Sequence, residues 1–138
     1  MEWMLMPLRR YADFSGRSQR KEYWMFALGV FIVSLALGLI MSLGGAFAAP
    51  TDVSAMSGVS LVVLIVLVLF CLAIFIPALA VQVRRFHDQD KSGWFVLLNF
   101  IPYVGGFVVL IFMCIDGTKG PNRFGPDPKQ RDVGEVFA

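Results

Sequence analysis

Charge is missing from most of this chain. No Asp, Glu, Lys or Arg occurs from Tyr23 to Thr51, from Val53 to Val83, or from Ser92 to Ile115. Only 16% of the 138 residues are charged and 57% are hydrophobic. Soluble domains carry about 25% charged and about 45–50% apolar residues. A hydrocarbon core about 30 Å thick is crossed by about 20 mainly apolar residues, and each charge-free run is longer than that. The chain therefore reads as one small integral membrane domain with no soluble module attached.

Cysteine and histidine are also scarce. Cys71 and Cys114 lie in separate apolar runs, and His87 is the single histidine. That excludes the paired spacing of a zinc or redox site. We expect no metal and no cofactor, with both cysteines acting as small hydrophobes.

What charge there is clusters. Residues 1–22 form a basic lead-in with Arg9, Arg10, Arg17, Arg20 and Lys21. Its apolar start, with Trp3 and Pro7, suits a short segment lying in the interface. Asp13, Ser15 and Gly16 are turn and cap residues, so a helix is expected to start near them. Arg17, Arg20, Lys21 and Trp24 have the i, i+3, i+4, i+7 spacing of one helix face, a cationic anchor for an anionic leaflet.

The first span is expected over 24–47. Ser34, Gly38, Ser42 and Ala46 repeat every four residues along it, a small-residue stripe that admits close helix packing, within the chain in the first instance. The stretch before Ala46-Phe47-Ala48 imitates a cleavable signal. A signal core is only about 7–15 residues long, so this run is read as a retained span. An outer loop follows over 48–58, with Asp52 its one charge. The second span, 59–83, contains Pro77, which can kink it.

A polar loop is expected over 84–93: Arg84, Arg85, Phe86, His87, Asp88, Gln89, Asp90, Lys91, Ser92 and Gly93. A third apolar run, 94–115, is interrupted by Asn99, Pro102, Gly105 and Gly106. It is either a kinked third span or a re-entrant hairpin broken at Pro102–Gly106. Lys and Arg collect in the lead-in, the polar loop and the tail, and are missing from the first loop. The positive-inside rule then puts the N-terminus in the cytoplasm. It favours the hairpin, which returns the basic tail to the same side. The tail, 116–138, is punctuated by Gly and Pro, so neither helix nor strand is expected there. The fold class is all-α, with two full spans and a broken third element.

Three separated motifs stand in order along the chain: Phe14-Ser15-Gly16-Arg17-Ser18-Gln19-Arg20-Lys21-Glu22-Tyr23-Trp24; Arg84-Arg85-Phe86-His87-Asp88 with Ser92-Gly93-Trp94 and Ile101-Pro102; and Asn122-Arg123-Phe124-Gly125-Pro126-Asp127-Pro128. Together they resemble a bacterial inner-membrane family catalogued as domain of unknown function 805, over about Tyr11 to Pro128. The resemblance implies an integral protein of the bacterial inner membrane, and the expected spans make it multi-pass. It implies no reaction.

His87 beside Asp88, next to an arginine pair, invites an acid/base reading on a phosphate headgroup. No nucleophile elbow, phosphate-cradling glycine loop or metal-ligand pair accompanies them, so no catalytic residue is assigned and no enzyme is expected. Arg17, Arg20, Arg84, Arg85 and Arg123 are instead expected to meet Asp88, Asp90, Asp116 and Asp127 at one membrane face, locking loops and tail to the helix ends. Arg17, Arg20, Lys21, Arg84, Arg85, His87, Asp88 and Arg123 are the candidate lipid- or partner-binding residues, and Ser34, Gly38 and Ser42 the candidate packing residues. The expected role is a non-enzymatic interaction or regulatory protein in the inner membrane. Its partners would be anionic lipid, another copy of the chain, or another membrane protein. The alternative is a subunit of an oligomeric small-solute transporter or channel. Nucleic acid is not an expected partner, because the basic residues are interleaved with acids and adjoin spans.

Overall fold

The computed structural model describes residues 2–43 and 57–129. In chain order it contains α1 (Glu2–Arg9), α2 (Arg20–Leu43), α3 (Gly58–Asp88), a 3-10 helix (Gly93–Phe100) and α4 (Gly105–Cys114). No strand occurs among the described residues, where pairing outside helices is limited to one isolated bridge, Asn122 with Gly125. The backbone divides into two compact units, residues 1–26 with 76–138, and residues 27–75.

The second unit holds the apolar lengths of α2 and α3. Leu28, Phe31, Ile32, Leu35 and Leu39 on α2 are exposed, as are Val62, Ile65, Leu69, Leu72 and Phe75 on α3. A core helix of a soluble protein would bury such side chains. Left bare, they need a non-aqueous cover, and the 24 and 31 residues of these helices correspond to about 36 and 46 Å, both longer than a hydrocarbon core. At Gly38 an added Cβ would meet nothing within 4 Å. Ser42 Oγ donates to Leu39 O of its own helix at 2.7 Å. The small-residue stripe therefore has no close helix neighbour at Gly38. Ala46, the end of the first expected span and nearly all of the outer loop lie outside the described residues.

Among the described residues, every charged side chain lies in the first unit. Its start is local chemistry. Asp13 Oδ1 accepts from Ser15 N at 2.9 Å, and Arg10 Nε donates to Asp13 Oδ2 at 2.8 Å. The Ser15 hydroxyl, which also donates to Oδ1, comes first, then the Ser15 N–H and Arg10, in holding the Asp13 carboxyl far below its usual range. Gly16 then takes φ +76°, a left-handed turn that a side chain would resist. This turn delays the helix. α2 begins at Arg20, so Arg17 is not on the cationic helix face expected of it and lies in the non-helical approach to α2. Lys21 Nζ lies 5.0 Å from the Trp3 ring centroid, which ties α1 to the first turn of α2.

At the other end, α3 runs unbroken through Pro77 and continues to Asp88. The expected loop over 84–93 is therefore corrected: its first five residues are helical. Arg84, Arg85 and Asp88 thereby acquire helical spacing, and Ala80, Val81, Arg84, Arg85, Phe86 and Asp88 are buried. The basic residues suit the helix C-terminus, where carbonyls point unpaired.

The third apolar run is two short helices folded on each other. The 3-10 helix is capped by Ser92, whose side chain accepts from Trp94 N. Phe95 and Phe112 pack edge-on at 6.2 Å, and both meet Phe86 of α3, at 5.9 and 5.8 Å. Val109 and Met113 of α4 are buried in the same cluster. The corner between the helices needs Tyr103 at φ +66° and no side chain at Gly105, where an added Cβ would lie 1.7 Å from Leu98 O. The far end of the run returns to the end of α3: Gln89 Nε2 donates to Phe112 O, and Arg85 Nη2 to Ile115 O.

Candidate functional site

The site grows from Asp88, the last residue of α3. Its Oδ1 accepts from Arg17 Nε at 2.9 Å, and its Oδ2 accepts from Arg85 Nη1, one turn back on the same helix. Its main-chain O accepts from Thr118 N at 2.8 Å and Thr118 Oγ1 at 3.1 Å. Gly117 leaves room for the carboxylate, because a Cβ there would lie 2.0 Å from Oδ2. Arg17 spends its remaining donors on the tail, with Nη1 to Gly120 O and Nη2 to Thr118 O, both at 2.6 Å. One carboxylate thus joins the lead-in, α3 and the tail, segments that carry the three sequence motifs.

A second ion pair lies one turn deeper. Arg84 Nη2 is 3.1 Å from Glu22 Oε1, with both side chains buried. Glu22 Oε2 accepts from Ser18 Oγ at 2.7 Å, and Ser18 N donates to Arg84 O at 3.2 Å. The Arg84–Glu22 contact is Coulombic rather than a well-aligned hydrogen bond, since neither Arg84 Nη2 nor Glu22 Oε1 makes one.

Burial makes the charge balance decisive. Arg17, Arg84 and Arg85 are buried together with the carboxylates Glu22, Asp88 and Asp127, so the formal charges balance. Buried cations are costly unless negative charge faces them. Asp127 reaches Arg17 only through space, and two helix C-termini, each equivalent to about half a negative charge, add to the balance. α3 ends at Asp88 itself. α4 ends at Cys114, where Phe112, Cys114 and Ile115 offer carbonyls to Gln89, Arg20 and Arg85. These side chains replace the water that α4 would otherwise need at its end.

Around the buried node is an exposed ring. Arg20 Nη2 pairs with Asp116 at 2.6 Å, Lys129 with Asp116 at 2.9 Å, and Arg123 with Asp90 at 3.1 Å. Lys129 and Arg20 hold the Asp116 carboxyl below its usual range, the Lys129 hydrogen bond first. His87 closes the assembly. Its Nδ1 is 3.2 Å from Gly16 O, its ring stacks on Phe124 at 3.9 Å and 5°, and its main-chain O accepts from Asn122 Nδ2 at 2.9 Å.

The expected pairings are met at Asp88, Asp90 and Asp116. Asp127 departs from them: it accepts from Gly120 N and Lys129 N, both at 3.0 Å, and shapes the tail rather than pairing with an arginine. Arg17, Arg84, Arg85 and Asp88 are interior, whereas Arg20, Lys21 and Arg123 lie outside, so only the latter three arginine and lysine candidates face the surroundings directly. Sequence reading missed Glu22 and Ser18 as partners of Arg84. The available signal was their i, i+4 spacing at a helix start. It also missed Thr118 and Gln89, which act through backbone groups and leave no charge pattern.

The buried pair invites a double-mutant cycle. Arg84→Leu or Glu22→Leu alone should cost about 3–5 kcal/mol, because each strands a buried charge. The double replacement should recover most of that loss. Unfolding of the four proteins in mixed micelles measures it, and additive losses would show that the pair is not coupled.

Relatives share this chain over nearly its full length. Inner membrane protein YhaI of Escherichia coli K12 is 43% identical over 129 residues, covering 94% of this chain and 97% of that protein. Inner membrane protein YhaH of the same strain is 41% identical, covering 94% and 98%. The uncharacterized protein YiiR of that strain is 27% identical over 141 residues, covering 83% and 85%. No solved structure gives a significant match. The family described as "Protein of unknown function (DUF805)" matches residues 11–126, and with two apolar helices whose side chains need a membrane around them the chain belongs to that family.

Proposed function

We propose that this is a multi-pass, non-enzymatic interaction protein of the bacterial inner membrane, with its N-terminus, node and tail on the cytoplasmic side. The observation that carries this reading is the Asp88 node, which draws the lead-in, the end of α3 and the tail onto one polar surface. Arg20, Lys21 and Arg123 are outward cations of that surface, beside the exposed Lys119 and Lys129 of the tail, placed for anionic headgroups or an acidic segment of a partner. Basic side chains near such a leaflet contribute about 1 kcal/mol each.

In this reading the third apolar element is a re-entrant hairpin. Its arms of 8 and 10 residues reach about 16 and 15 Å, half of a hydrocarbon core. Both arms leave from and return to the node. Main-chain bonds at the corner, Ile101 N to Leu98 O and Gly105 N to Ile101 O, each 3.0 Å, suit backbone buried at that depth. Transport draws its support from Asn99, a polar group in an apolar run. Asn99 Nδ2 is already used by Gln82 Oε1 at 2.7 Å and Val96 O at 3.0 Å, which favours a structural role.

The experiment is sidedness of the tail. Lys119→Cys, with Cys71 and Cys114 replaced by Ala, is exposed to an impermeant thiol reagent in intact cells. Protection until the inner membrane is opened is the expected result. Labelling from outside would separate the tail from a cytoplasmic surface and sink this reading.

A further inference from the structure

We infer that the groove beside His87 binds one anionic phospholipid whose headgroup carries hydroxyls, phosphatidylglycerol being the simplest. The inference rests on the reading just given, because it needs the node at the membrane surface.

The groove is an open cavity of about 490 Å³ lined by Phe14, Val83, His87, Gly93, Trp94 and Phe124. That is within the range of about 300–1,000 Å³ typical of small-molecule sites. Its walls are aromatic and aliphatic, and Trp94 is 74% exposed. Trp94 marks the change from the polar stretch ending at Ser92 to the apolar 3-10 helix, which is the depth at which an indole favours a bilayer interface. The apolar walls therefore suit acyl chain, and the polar end suits a headgroup.

Three groups define that headgroup. The first is His87. A carbonyl only accepts, so the 3.2 Å contact with Gly16 O fixes the proton on Nδ1. The neutral ring then presents Nε2 as an acceptor, and its ligand must bring a donor. Gly93 keeps this edge open: a Cβ there would lie 3.1 Å from Nε2 and 2.8 Å from Val83 Cγ1. The second is Arg123, whose guanidinium lies 4.8 Å from the ring centroid of Phe124, a wall of the groove. Its Nε pairs with Asp90 Oδ1, exposed on both sides at 61% and 48%, and its Nη2 donates to Asp90 O at 2.8 Å. An exposed pair is weak, and the outer Nη1–Nη2 edge keeps N–H donors that a phosphate can engage. The third is Ser92, also on the lining, whose hydroxyl can donate to a phosphate oxygen. Phosphate plus headgroup hydroxyl satisfies all three. Phosphatidylcholine lacks the donor, and phosphatidylethanolamine lacks the net negative charge.

The test uses the full chain carrying Trp3→Phe and Trp24→Phe, which leaves Trp94 as the sole indole. In phosphatidylcholine nanodiscs, phosphatidylglycerol with brominated chains is titrated in. Saturable quenching of Trp94 is expected at a mole fraction roughly tenfold below that for brominated phosphatidylcholine, as a charge-assisted contact implies. Arg123→Gln, an exposed change, should remove roughly that tenfold preference. Gly93→Ala should abolish saturation by filling the groove, and if it fails to fold Arg123→Gln still decides. Equal quenching by both lipids would reduce the groove to ordinary annular contact and overturn the site. Equal or stronger quenching by brominated phosphatidylethanolamine would overturn the anionic assignment. A protected Lys119→Cys with unselective quenching removes only the groove, whereas outside labelling of Lys119→Cys removes the reading beneath it.

Discussion

Asp88→Asn should unfold the polar half of this protein although it alters almost no volume. The carboxylate is shared by Arg17 and Arg85, and all three side chains are buried. Asn cannot carry the charge, so two guanidiniums would face each other without the carboxylate that both contact, leaving Glu22 paired to Arg84 and Asp127 acting on Arg17 only through space. Breaking a buried pair from one side costs about 3–5 kcal/mol, and here one change breaks two. A loss at or above the top of that range is expected, measured by unfolding in mixed micelles. The tail should loosen with it, because Arg17 is oriented by Asp88 while it holds Thr118 and Gly120. Trypsin should then cut after Lys119 faster than in the unaltered protein. Adding Arg85→Met should restore part of the stability by removing one stranded charge. An Asp88→Asn protein with unaltered stability and tail protection would contradict the node as described.

Gly105→Ala is the second large effect, and its neighbour is its control. A Cβ at Gly105 would lie 1.7 Å from Leu98 O and 2.8 Å from Leu98 C. Those are backbone atoms of the facing arm, so no rotamer change relieves the clash. Overpacking typically costs about 1–3 kcal/mol, sometimes more, and a backbone obstruction belongs at the upper end. The two arms would have to part, loosening Phe95 and Phe112 from Phe86. At Gly106 an added Cβ meets nothing within 4 Å. Gly106→Ala inside α4 should be neutral or stabilising by up to about 1 kcal/mol. The same unfolding assay separates the two, and equal effects would mean that the arms do not close as described.

Much of this was readable in the residues. Three charge-free runs announce the apolar elements, and Pro102 with Gly105 announces the break. The pairs Arg20–Asp116 and Arg123–Asp90 follow from collecting opposite charges at one face. What the sequence concealed depends on where α3 ends. Charge after an apolar run looks like loop, yet Arg84 to Asp88 stay helical because arginine suits a C-terminal turn and helical spacing brings Arg85 to Asp88. With that end misplaced, Arg84 had no obvious partner, and Glu22 was hidden among the residues of a supposed surface anchor. Gly16 concealed the position of Arg17 in the same way, since one left-handed residue moves the start of α2 to Arg20. Contacts to main-chain carbonyls, such as those of Gln89 and Arg20 with α4, leave no trace in side-chain pattern.

Arg17 grips the tail by carbonyl oxygens, and every residue carries one. That grip depends on the distance of Thr118 and Gly120 along the chain from Gly117, while residue identity there answers to other demands: Thr118 Oγ1 donates to Asp88 O, and Gly120 takes φ +77°, which a side chain would resist. The tail behaves as a ruler: adding or removing a residue between Gly117 and Gly120 would bring the wrong oxygens to the guanidinium.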